Sequence, residues 1–180
     1  MSHSLFPAVF LDRDGTLMEE VDYCRDPEKV RLFSDVRDGL QRLKAAGFRM
    51  IIISNQSGIG RGRIAMSEYE AVHARLLELI GAGWIDATYF CPEAPGGESL
   101  RRKPAPGMVL EAAREHGLDL SRSWLVGDKA IDVQCGRNAG IRPILVQTGY
   151  GAGESGEDAE FIAKDFASAA DFILKHSHVA

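Results

Sequence analysis

The densest chemistry in the chain lies near its amino end, in Phe10-Leu11-Asp12-Arg13-Asp14-Gly15-Thr16, directly after a short apolar run from Ala8. At a strand end, period-two alternation points Asp12 and Asp14 to one side and sends Arg13 elsewhere. Two adjacent carboxylates repel unless a cation joins them or one is protonated. Either state is useful. Magnesium takes oxygen ligands, commonly one or two carboxylates together with phosphate oxygens. A carboxylate can also attack phosphorus and form an aspartyl phosphate. Gly15 frees the chain to turn and lets backbone N–H groups approach a phosphate. An acidic turn after a strand is the alternative reading of the same letters.

Three later segments carry compatible groups. Ile51-Ile52-Ile53-Ser54-Asn55-Gln56 puts a hydroxyl beyond a buried strand, where it can donate to a phosphate oxygen or simply form a Ser-Asn turn. Arg101-Arg102-Lys103-Pro104 offers a lysine to offset charge on a transferring group and an arginine to grip a second oxyanion; a solvated basic loop is the alternative. In Val126-Gly127-Asp128-Lys129-Ala130-Ile131-Asp132, Asp128 reads equally as a helix cap or as a third carboxylate of a magnesium site. Asp132 lies one helical turn on and can support such a site from behind.

The elements that must position these groups alternate. Strands are expected at 8–11, 48–54, 87–91, 124–127 and 143–147. Helices are expected at 35–46, from a Ser67/Glu70 capping box through Ile80, at 106–116, 130–139 and 167–175. Such alternation implies an α/β fold, a mostly parallel sheet covered by helices on both faces, with ligands beyond the carboxyl ends of the strands. Asp12, Ser54 and Asp128 fall at those ends and so converge.

Taken in this order, the four segments resemble the haloacid dehalogenase (HAD) superfamily of phosphatases: DxDGT, a hydroxyl at a strand end, a lysine, and GDxxxD. Residues 11–16, Asn55-Gln56-Ser57-Gly58-Ile59, Arg102-Lys103-Pro104 with Pro106-Gly107-Met108, and Gly127-Asp128-Lys129 narrow the resemblance. They are similar to the D-glycero-D-manno-heptose 1,7-bisphosphate phosphatases; histidinol-phosphate phosphatases share much of the pattern. The resemblance covers nearly the whole chain. It implies a three-layer Rossmann-like HAD core over residues 1–180, one domain without a large cap. It implies magnesium-dependent hydrolysis of the C7 phosphate of a heptose bisphosphate through an aspartyl phosphate. Asp12 would be the nucleophile and Asp14 the general acid/base. Asp12, the backbone carbonyl of Asp14, and Asp128 would hold the metal. Ser54 and Lys103 would steady the phosphoryl group, and Arg102 and Lys129 would recognise the substrate. Arg13, Glu20, Val21, Asp22, Tyr23, Asn55, Gln56 and Ser57 would line its path. Many such phosphatases carry a zinc loop of three cysteines and a histidine. Here residues 91–100 retain only Cys91, so zinc is not expected.

Composition bounds the alternatives. The chain has 180 residues, is 45% hydrophobic and carries a net charge of -5, which speaks against nucleic acid as a partner. Met1–Pro7 lacks the basic start and apolar stretch of a signal peptide, and no run spans a bilayer. A cytoplasmic monomer acting on a small sugar phosphate is therefore expected, with Cys24, Cys91 and Cys135 as buried or incidental thiols. A histidinol-phosphate or broad small-molecule phosphatase is the enzymatic alternative. A phosphate-binding module without catalysis is the other, although both Asp12 and Asp14 are present. Gly151–Gly156 matches GxGxxG by letter but reads as a flexible loop. His73 and His116 have no partner ligands in the sequence, and His176 and His178 read as a frayed tail.

Overall fold

In Ala8–Leu11 (β1) and Arg49–Asn55 (β2), successive apolar residues are all buried, the mark of strands covered on both faces. The computed structural model describes residues 5–177. Ala87–Cys91 (β3), Trp124–Gly127 (β4), Arg142–Val146 (β5) and Phe161–Ala163 (β6) complete a sheet of order β3-β2-β1-β4-β5-β6. Every pairing is parallel. Alternation sorts the side chains into two cores. Val9, Leu11, Met50 and Ile52 pack with Val36–Ala45 (α1), Met66–Ile80 (α3) and Phe166–His176 (α6). Ala8, Phe10, Ile51 and Ile53 pack with Gly107–His116 (α4) and Ala130–Asn138 (α5) on the other face. A single turn of helix, Ser57–Gly60 (α2), follows β2. No separate domain sits over the sheet among the described residues, and no helix there is long and apolar enough to cross a membrane.

Several local features differ from expectation. Strand β6 has three residues, too few to display a period. Helix α3 begins at Met66, two residues beyond Ile64, and not at a Ser67/Glu70 box. Ala65 is its N-cap residue, and the Glu68 carboxylate accepts the Ala65 N–H at 2.8 Å. Buried Ile64 and Tyr69 flank that cap and set where the chain enters the helix. His176 is not frayed: it ends α6, stacked on Phe172 at 4.0 Å, whereas His178 lies outside the described residues.

The site depends on where β2 ends, and Asp86 fixes where it begins. Its carboxylate accepts the Met50 N–H at 2.8 Å and the Lys44 and Arg49 side chains at 3.0 Å each. Burial would raise its pKa, but these donors outweigh burial and hold it below the usual carboxylate range. The resulting stability is present above the ordinary carboxylate pKa and is lost as pH falls through the depressed value. Asp86→Ala is expected to lower the unfolding free energy by about 1–3 kcal/mol at pH 7. Urea titration measures this, and the deficit should shrink in acid below the ordinary carboxylate pKa.

Candidate active site

Strand β1 lies at the switch point of the sheet, with β2 on one side and β4 on the other. Leu11 is level with both Ile52 and Val126, so the three carboxyl ends stand side by side. Asp12 prolongs β1, its N–H donating to the Val126 carbonyl at 2.9 Å. Ser54 ends the buried run of β2, and Asp128 follows β4. All three side chains are buried at the head of one cleft or directly beneath it.

Lys103 arrives from the loop before α4. The Asn55 side chain positions it twice over: Nδ2 donates to the Lys103 carbonyl and Oδ1 accepts the Lys103 N–H, each at 3.0 Å. The lysine ammonium then reaches inward. It donates to Asp12 Oδ1 at 2.7 Å and to the Ile53 carbonyl at 3.1 Å, and it lies 2.6 Å from Asp132 Oδ1. Burial works against its charge, but Asp12 and Asp132 outweigh burial and hold its pKa above the ordinary value.

Asp12, Asp128 and Asp132 form a buried cluster whose ligand oxygens lie within 4.8 Å of one another. Burial, reinforced by Asp12, pushes Asp128 up to about 7. Burial likewise raises Asp132 to about 6, against the pull of Lys103. Asp128 Oδ2 accepts the Tyr150 N–H at 2.9 Å, while Asp128 Oδ1 is buried without a hydrogen-bond partner. A carboxylate oxygen left bare beside two other acids suits a divalent cation with oxygen ligands. Two glycines make room for Asp128. A Cβ on Gly15 (φ +83°) or on Gly149 (φ +53°) would come within 2.2 and 2.3 Å of Asp128 Oδ2.

The period-two expectation for Arg13 is corrected. Beyond Asp12 the chain leaves extended geometry and turns, with the Leu17 and Met18 N–H groups donating to the Arg13 carbonyl. The guanidinium therefore comes back onto its neighbour: Nε and Nη2 donate to the two Asp14 oxygens at 2.9 Å each. Gln56 Nε2 donates to the same carboxylate at 2.9 Å and to Ser54 Oγ at 2.8 Å. Arg13 also lies over the Tyr69 ring at 5.3 Å. Burial favours the neutral acid at Asp14, but Arg13 and Gln56 outweigh it and keep the pKa below the usual range.

Toward the mouth, Glu20, Val21, Asp22, Tyr23 and Ser57 line the cleft with Lys129. Lys129 Nζ stands 3.4 Å from Glu20 and 4.5 Å from the Tyr150 ring centre. Burial, with Asp14 nearby, raises the Glu20 pKa against the pull of Lys129. Arg102 is the one sequence-selected residue, besides the deeply seated Asp128, that is not in the lining. Its guanidinium donates to the Glu93 carbonyl at 2.9 Å.

Residues 148–150 escaped the sequence reading. Thr148 Oγ1 donates to the Gly15 carbonyl at 2.6 Å, and Gly149 and Tyr150 hold Asp128. The following glycines were read as a flexible loop, but Gly151–Gly153 is a 3-10 turn. The usable signal was position: these residues follow β5, next to β4, at the same end of the sheet.

A parallel 3-2-1-4-5-6 sheet with its acids at the switch point is the arrangement of a HAD-like hydrolase, and the HAD-hydrolase-like family model matches residues 100–171. The D-glycero-D-manno-heptose-1,7-bisphosphate 7-phosphatase of Thermosynechococcus vestitus is 41% identical, covering 94% of this chain and 96% of that protein. The D-glycero-beta-D-manno-heptose-1,7-bisphosphate 7-phosphatase of Pseudomonas aeruginosa is 34% identical over 97% and 100%. The D,D-heptose 1,7-bisphosphate phosphatase of B. bronchiseptica, solved with magnesium and phosphate, superposes with a TM-score of 0.86 at 29% identity, covering 95% and 99%. The chain belongs to this family of HAD-like phosphatases.

Gly149→Ala tests the seat of Asp128. It strains a left-handed backbone and drives a methyl into the carboxylate, so a loss of at least about 1 kcal/mol in stability is expected. Turnover should fall further than stability alone explains. Thermal melts and initial rates on the same preparation separate the two effects.

Proposed function

We propose that the protein hydrolyses the C7 phosphate of D-glycero-D-manno-heptose 1,7-bisphosphate with magnesium, through an aspartyl phosphate on Asp12. One observation carries the chemistry: a buried Asp12 held by Lys103 at 2.7 Å and grouped with Asp128 and Asp132. The substrate rests on the names of relatives that match from end to end.

Asp12, Asp128 and the main-chain carbonyl of Asp14 are the metal ligands this reading requires. Magnesium, when bound, neutralises charge on the transferring phosphoryl group. The protein's own groups do the rest. Ser54 and Lys103 hold the phosphate oxygens while the Asp12 carboxylate attacks phosphorus in line with O7. The P–O7 bond breaks as Asp14 gives its proton to O7. Asp14 then takes a proton from water, which attacks the same phosphorus and releases phosphate from Asp12. In the structure Asp14 is held ionised by Arg13. The negative charge of an arriving monoester raises a neighbouring carboxylate's pKa, the direction an acid needs. A terminal C7 phosphate reaches the recessed Asp12 more easily than one on the ring. Lys129 at the mouth faces the rest of the sugar. Arg102 can contribute only by leaving the Glu93 carbonyl.

Asp12→Asn is expected to reduce turnover by roughly 10⁴-fold or more while the chain keeps its fold, as circular dichroism would show. Asp14→Asn should lose ~100- to 10,000-fold. Product NMR should find the remaining phosphate on C1. A clear preference for histidinol phosphate, or a product that keeps its C7 phosphate, would leave only a general phosphatase.

The raised Asp128 and Asp132 must lose any proton before they face a cation. Magnesium binding is therefore expected to release protons at pH 6 and to weaken as pH falls from about 7 to about 5. Calorimetry in two buffers of different ionisation enthalpy measures this. An affinity independent of pH would contradict the arrangement.

A further inference from the structure

Arg13 is a buried charge, 2% exposed, and the sequence carries it between the two aspartates of the site. Among the described residues, its three side-chain hydrogen bonds all go to groups that line the cleft. Two reach Asp14, and Nη2 also donates to Gln56 Oε1 at 3.2 Å. Nη1 is buried without a hydrogen-bond partner. A charge buried this deeply is costly unless it is paired with good geometry. The partner here is the residue that, on the reading above, moves a proton.

A ring backs the guanidinium. Tyr69 of α3 is buried, and its ring centre lies 5.3 Å from the Arg13 guanidinium carbon. That ring is itself fixed from two sides. Phe90 of β3 tilts against it at 4.4 Å, and His73, one turn along α3, stacks with it at 5.8 Å. His73 Nε2 lies 3.1 Å from Thr88 Oγ1, also on β3. Burial, with Arg13 nearby, lowers the His73 pKa to about 4, so at neutral pH no second cation stands behind the guanidinium. A cation over an aromatic face is attracted to it and held there. Arg13 therefore meets Asp14 as a fork in a fixed plane.

The donors are unequally shared. Asp14 Oδ2 accepts from Arg13 Nε and from Gln56 Nε2, whereas Oδ1 accepts only from Arg13 Nη2 among the described residues. A carboxylate oxygen has two acceptor positions. Oδ2 is full, and Oδ1 keeps one position open. We infer that Arg13, backed by Tyr69, is a positioning residue for the acid and leaves Oδ1 as the oxygen that moves the proton. The proton passes from Oδ1 to the leaving oxygen as the P–O bond breaks, and the bonding pair stays with that oxygen. The inference rests on Asp14 as the general acid/base. Gln56 shares the task, but it also holds Ser54 Oγ, so Arg13 and Tyr69 give the cleaner test.

The test compares phenyl phosphate, whose leaving group needs a proton, with 2,4-dinitrophenyl phosphate, whose stable phenolate departs without one. Neither carries a sugar or a second phosphate, so the sugar reading does not enter. The ratio kcat/KM covers the steps up to loss of the phenol, so hydrolysis of the aspartyl phosphate does not affect it. Arg13→Lys keeps the charge and loses the fork. It is expected to lower kcat/KM for the phenyl ester about tenfold more than for the dinitrophenyl ester. Tyr69→Leu should shift the preference the same way, by roughly threefold, and Tyr69→Phe, which keeps the ring, should retain the wild-type preference. Tyr69→Leu leaves both charged groups in place and carries the test if Arg13→Lys loses its fold. Asp14→Asn should shift the preference further, and adding Arg13→Lys to it should shift it no more, because the arginine acts through the acid. Equal losses on both esters, no loss on either, or a shift that adds to that of Asp14→Asn would overturn the proposal. An Asp14→Asn variant with the wild-type preference would instead overturn the acid reading beneath it.

Discussion

The Lys103 ammonium lies between the buried carboxylates of Asp12 and Asp132, and the geometry of the site depends on that position. Without the lysine, two buried acids would face each other with a third, Asp128, beside them. Breaking a buried pair by deleting one partner typically costs about 3–5 kcal/mol. The position of Lys103 is itself inherited. Asn55 ends β2 and grips the Lys103 backbone from both sides, so the register of the sheet is passed through one amide to the ammonium group and on to Asp12. One buried lysine cannot balance three buried acids. The remaining negative charge, together with the bare Asp128 oxygen, suits a divalent cation at the cluster.

Much of this is legible in the sequence. Strands β1 and β4 run where the apolar residues placed them, because a strand buried on both faces leaves a run that nothing else explains; β3, half-buried at the edge of the sheet, also runs over the expected residues. The convergence of Asp12, Ser54 and Asp128 followed from the rule that such sheets bind at their carboxyl ends. What failed did so for local reasons. Alternation predicts the facing of Arg13 only while the chain stays extended, and it turns immediately after Asp12. A cap depends on where the preceding loop is anchored, so Ser67 and Glu70 had the right letters two residues too late. Thr148 and Gly149 act through a hydroxyl and through the absence of a side chain, neither of which stands out among ordinary turn residues.

The short loop from Cys91 to Arg102 shows how main-chain groups hold a segment that borders the site. The Gln56 N–H donates to the Cys91 carbonyl and the Gly60 N–H to that of Pro92, each at 2.8 Å. Ser99 Oγ accepts the Arg102 N–H at 3.2 Å and lies 3.6 Å from Cys91 Sγ. The Gly107 N–H closes the segment on the Leu100 carbonyl. The loop is thereby stitched to α2, which carries Ser57 of the cleft, and Arg102 takes part as a strut.

The central position of β1 has a consequence for synthesis. Its partners arrive in turn: Lys103 follows Asp12 by 91 positions, and Ser123, whose hydroxyl accepts the Ala8 N–H, follows Ala8 by 115. A ribosome adds roughly 5–20 residues per second. For several seconds, then, the emerging chain has β1 and β2 but neither β4 to cover the exposed edge of β1 nor the lysine to neutralise Asp12. An uncovered strand edge is an invitation to pair with another chain. Of the three clustered acids only Asp12 has been made by then; it stands just beyond that edge, and without the lysine its charge repels a like neighbour during the interval.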